Sequence, residues 1–89
     1  MSNNRKHIRF LPDENTFILV KGQSEKVHSG LCVDESQSGC AGVFVKHEDL
    51  IPKKMTMLKV GNLDAIPAEI RWVRVLDEDV VRVGFQYLD

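Results

Sequence analysis

The chain has 89 residues, 43 % of them hydrophobic and 28 % charged, which fits one folded domain and leaves no room for a second core. A formal net charge of −1 excludes the global basic field that long nucleic acids require. No apolar run is long enough to span a membrane as a helix, and two cysteines are too few for a disulfide scaffold.

The start, Met-Ser-Asn-Asn-Arg-Lys-His, lacks the apolar core of a signal peptide. Residues 1–9 carry Arg5, Lys6 and Arg9 with no acid, and form a cationic arm expected to be flexible over residues 1–10. Such an arm suits a small anion better than a duplex.

The pattern from residue 11 onward reads as β. Residues 16–21 form a short apolar strand that ends at Gly22. From Glu25 to Asp34, Val27, Leu31 and Val33 share one parity, and His28, Gly30, Cys32 and Asp34 the other. Ser36 to Gly39 reads as a turn, and Cys40 to Lys46 as the next strand. His47–Lys54 is the one segment with helical character, limited by Pro52 to about a turn.

Lys54–Val60 is a fourth strand, with Gly61-Asn62 as turn chemistry behind it. Ala68–Leu76 is a fifth, apolar on both faces: Ile70 and Trp72 share one parity, Val73 and Val75 the other. Trp72 reads as core. After the acidic turn Asp77-Glu78-Asp79, Val81, Val83, Phe85 and Tyr87 alternate with Arg82, Gly84 and Gln86. Six short strands separated by turn residues predict an all-β protein, a small six-stranded antiparallel barrel or sandwich. Closure into a barrel removes exposed sheet edges. The expected division is an arm over residues 1–10 and a barrel over 11–89.

Two patterns carry chemistry. Arg5-Lys6-His7-Ile8-Arg9 sets two arginines four residues apart. Asp34-Glu35-Ser36-Gln37-Ser38-Gly39 lies at the turn between the second and third strands. In this order and spacing, Arg-x-x-x-Arg and Asp-x-Ser-x-x-Gly resemble the signature of the PilZ family. The likeness continues through Ala68-Glu69-Ile70-Arg71-Trp72 and Val83-Gly84-Phe85, and so covers nearly the whole chain.

The resemblance implies a PilZ-like barrel that binds the bacterial second messenger cyclic di-GMP in the cytoplasm. It implies a receptor or adaptor rather than an enzyme, signalling to an unidentified protein partner. The ligand residues it implies are Arg5, Arg9, Asp34, Ser36 and Gly39, with Lys6 and His7 secondary.

The chemistry of these residues agrees. An arginine fork matches O6 and N7 of guanine or a phosphate. Asp34 and Ser36 point the same way in extended backbone, where a carboxylate accepts hydrogen bonds from guanine N–H groups. Gly39 is expected to allow positive φ and a close approach of a base to the backbone.

The alternative function is a PilZ-fold interaction module without nucleotide binding. Neither Cys32 nor Cys40 sits in a recognisable nucleophile context, and both read as reduced thiols, a cross-strand disulfide being the alternative. His28 and His47 read as surface residues. Three scattered histidines and two cysteines match no zinc spacing, so neither metal nor cofactor is expected.

Overall fold

A computed structural model describes residues 9–10 and 16–88. Its strands are β1 (Arg9–Phe10), β2 (Phe17–Lys21), β3 (Val27–Ser36), β4 (Gly39–Val45), β5 (Met55–Val60), β6 (Ile66–Asp77) and β7 (Val80–Tyr87). All pairings are antiparallel, in the order β1-β3-β2-β5-β6-β7-β4, and a further β3–β4 pairing closes the ring. The six expected strands, now β2 to β7, form the closed barrel.

The ten-residue β3 is shared among three neighbours. Its first half pairs with β2, from Val27 opposite Lys21 to Leu31 opposite Phe17. Leu31 to Glu35 pair with β4 on the other edge. Glu35 and Ser36 also pair with Phe10 and Arg9 of β1, which therefore follows β2 along the same edge.

Period-two alternation builds the core wherever the ladder is regular. In β2, Ile18 and Val20 are fully buried while Phe17 and Leu19 face outward. In β5, Thr56, Leu58 and Val60 point inward. The Thr56 hydroxyl meets the cost of its burial by donating to the Ala68 carbonyl at 3.1 Å. Val81, Val83 and Phe85 of β7 are buried, and Phe44 meets Phe85 edge-on with ring centroids 5.8 Å apart.

On β3 the more apolar parity turns out to face outward. Leu31 is 49 % exposed, whereas Gly30 and Cys32 are buried. The large Phe44 ring from β4 occupies the interior beside Gly30, so the inner positions of β3 there are small.

The segment between β4 and β5 forms turns at residues 48–49 and 52–53 rather than a helix. Leu50, 2 % exposed, packs against the core. The Lys53 amide donates to the Ile70 carbonyl at 2.7 Å and ties this loop to β6. No helix among the described residues is long and apolar enough to cross a membrane.

Candidate functional site

A groove of about 310 Å³ opens where the β3–β4 hairpin meets the middle of β6 and the end of β7. Its walls include Asp34, Glu35, Ser36, Ser38 and Gly39 on one side and Arg71, Trp72 and Gln86 on the other, with Gly84 and Phe85 below. Asp34, Ser36 and Gly39 are thus brought together at one concave surface.

The hairpin shapes this wall. β3 carries a bulge between Cys32 and Asp34, so Asp34 pairs with Ala41 and Glu35 with Cys40. The strand runs on through Ser36, and only residues 37–38 form the bend. The Ser36 hydroxyl donates to the Gly39 carbonyl at 3.3 Å and lies 3.4 Å from the Ser38 hydroxyl. This local bonding leaves the Ser36 oxygen able to accept a further hydrogen bond.

Gly39 corrects an expectation. Gly61 is the one described glycine with positive φ, at 58°, and Gly39 lies in ordinary strand geometry. A Cβ on Gly39 would lie 2.0 Å from the Phe85 carbonyl oxygen. The missing side chain there serves the contact of β4 with β7.

Trp72 is a second correction: it is 39 % exposed and lines the groove. A bulge in β6 explains the reversal, because Ile70 pairs with Phe85 and Trp72 with Gly84, which leaves Arg71 as an extra residue. One extra residue switches the face of everything that follows. Ile70 and Val73 therefore both turn to the core, while Trp72 turns out. The indole lies against Gly84, where a Cβ would come within 2.1 Å of the ring. The Arg74 guanidinium sits 5.7 Å from the ring centroid, a cation–π contact. The signal in the sequence was the strand's apolar character on both faces.

Arg71 is the only cation among the described lining residues; it donates to the Gln86 side chain and lies 3.5 Å from Glu69. Asp34 and Glu35 make the hairpin wall acidic. Arg5, Lys6 and His7 lie outside the described residues. Arg9 is described through its backbone, which pairs opposite Ser36.

Cys32 and Cys40 are free and buried. The register sets Cys32 opposite Gly42 and Cys40 opposite Glu35, so the two are not cross-strand partners. Burial pushes the Cys40 thiol up to about 12, against a smaller downward effect of a hydrogen bond with Tyr87.

His28 and His47 depart from the expectation of isolated surface residues. Their rings lie 4.4 Å apart between centroids. His28 Nε2 lies 2.9 Å from Asp49 Oδ2 and His47 Nδ1 3.6 Å from it. The Ser24 hydroxyl donates to the same oxygen at 2.5 Å. Asp49 is only 9 % exposed, and its carboxyl is held below the usual range by the Ser24 and His28 hydrogen bonds.

No family model matches the chain, and no curated protein matches it. Among solved structures, it superposes on the PilZ domain with c-di-GMP of YcgR from Escherichia coli with a TM-score of 0.73. The match covers 96 % of this chain and 78 % of that one, at 17 % sequence identity. The chain thus has the fold of that PilZ domain.

Proposed function

We propose that the chain binds cyclic di-GMP in the groove between the β3–β4 hairpin and β6–β7, and acts as a non-enzymatic receptor or adaptor. One observation carries the reading. The β1–β3 register sets Arg9 opposite Ser36, so the end of Arg-x-x-x-Arg and the Asp34-x-Ser36 motif meet although 26 residues lie between Arg9 and Ser36 along the chain. The structurally similar YcgR domain is described with c-di-GMP, which supports the same ligand class here.

Charge supports the reading too. Asp34 and Glu35 suit the N–H edge of a guanine and disfavour bare phosphates. A doubly anionic ligand therefore needs cations beyond Arg71, and Arg5 and Arg9 supply them as forks for phosphate or guanine. Trp72 offers a base a stacking face. Enzymatic use of Cys40 is disfavoured, because a thiol pushed up to about 12 carries almost no thiolate at neutral pH. In this reading the bound messenger gathers the N-terminal arm against the groove, and a protein partner in the bacterial cytoplasm reads the altered surface.

Calorimetry with cyclic di-GMP, using GTP and cyclic di-AMP as controls, tests this. We expect heat with cyclic di-GMP alone, its loss in Arg9→Ala, and little change in that variant's melting temperature. Nuclear magnetic resonance of the same samples should show the amides of residues 1–8 responding to ligand. Unchanged affinity in Arg9→Ala would refute the site, and no heat from the unaltered chain would favour an interaction module that keeps only the fold.

A further inference from the structure

From the convergence of His28, His47 and Asp49 we infer a binding site for a divalent transition-metal ion of the zinc class, clamping the β2–β3 hairpin to the loop between β4 and β5. One ligand atom from each residue lies within 4.8 Å of the others. A tetrahedral zinc ion about 2.1 Å from its N and O ligands places them roughly 3.4 Å apart. The observed separations of 2.9 Å for His28–Asp49 and 3.6 Å for His47–Asp49 bracket that value. Two imidazoles and one carboxylate form a borderline donor set that suits zinc and its neighbours better than magnesium or calcium.

The surroundings fit a prepared site. The Asp49 amide donates to His47 Nδ1 at 3.0 Å, which leaves a lone pair rather than a proton on that nitrogen. An ion at this nitrogen would replace the amide as the partner of that lone pair. His28 Nε2, now hydrogen-bonded to Asp49 Oδ2, presents a lone pair once its proton resides on Nδ1 and the ion replaces that hydrogen bond. The Ser24 hydroxyl orients the Asp49 carboxylate as an outer-shell partner. Gly22 makes room for it, since a Cβ there would lie 2.7 Å from Asp49 Oδ2. His47 is the most exposed of the three, with 27 % of its side chain accessible, so water can complete the coordination.

The cluster stands apart from the nucleotide groove. His28 and Ser36 lie eight residues apart on β3, roughly 25 Å at the rise of a strand. The inference therefore does not rest on the proposed function.

Titration of the full-length chain with zinc and cobalt(II) tests it. We expect one ion per chain and a tetrahedral cobalt spectrum without a thiolate charge-transfer band. Zinc should move the imidazole resonances of His28 and His47 and leave those of His7 in place. Loss of uptake is expected in His28→Ala and Asp49→Asn, and an affinity about tenfold weaker in Ser24→Ala. Melting curves without metal identify any variant that fails to fold, and the imidazole shifts in the unaltered chain decide the matter independently. A thiolate band, movement of His7 alone, undiminished uptake in a folded His28→Ala, or no uptake at roughly 100 μM zinc, far weaker than structural zinc sites, would overturn the assignment.

Discussion

Glu25 adopts φ of 71° in the tight connection between β2 and β3. The Glu25 amide donates to the Gly22 carbonyl, and the Gly22 amide to the Lys26 carbonyl, each at 3.1 Å. A turn that ends in a left-handed residue ordinarily places glycine there. An L-residue with a Cβ costs about 1–2 kcal/mol in that conformation. Glycine removes this cost and returns part of it through the larger entropy of the unfolded chain. The Lys21–Glu25 ion pair at 3.3 Å is exposed and contributes little. Glu25→Gly should therefore stabilise the domain by about 0.5–1 kcal/mol and raise its melting temperature by a few degrees. A lower melting temperature would show that the side chain matters more than the backbone strain.

At the scale of elements, the bulge in β6 separates two hydrophobic residues by task. Ile70 is fully buried, whereas Trp72, two residues on, faces the groove. Truncating each should give opposite signatures. Ile70→Ala opens a cavity in the barrel and should cost about 2–5 kcal/mol of stability. Trp72→Ala should leave unfolding much less affected and weaken cyclic di-GMP binding by about 1–3 kcal/mol, the usual range for one stacked base. Equal affinities for the unaltered chain and Trp72→Ala would remove the indole from the ligand surface. The same element logic places Arg9, since β1 extends the edge that β2 began along β3.

Closure of the whole barrel buries titratable groups that a small open sheet would leave wet. Desolvation raises Cys40 from 9.0 to about 12 and pushes Tyr87 upward as well. A folded-state value above the unfolded one means that the native protein holds a proton which the unfolded chain gives up. The associated stability is complete below about pH 9 and is lost progressively toward pH 12. The melting temperature should therefore fall steeply across this window, and the fall should be shallower in Cys40→Ala, whatever that variant's starting stability. Parallel curves for the two proteins would show that Cys40 is not the group responsible. At pH 8, Cys40 should react slowly with thiol reagents in the native state and quickly after denaturation.

Local patterns in the sequence determined the six barrel strands, the turn at Gly61, the buried stripe of Val81, Val83 and Phe85, and the paired motifs around Arg9 and Ser36. These rest on side-chain alternation and turn chemistry, which act over a few residues and are written in order along the chain. Tertiary structure alone decided which parity of β3 faces inward, because that depends on the space left by Phe44. It also decided that Trp72 leaves the core, since one inserted residue in a ladder shows only against its partner strand. The meeting of His28 with His47 and Asp49, and the setting of Arg9 beside Ser36, follow from ring closure and strand register. Both depend on contacts between residues far apart in sequence; the motif resemblance anticipated the second, whereas no spacing signalled the first.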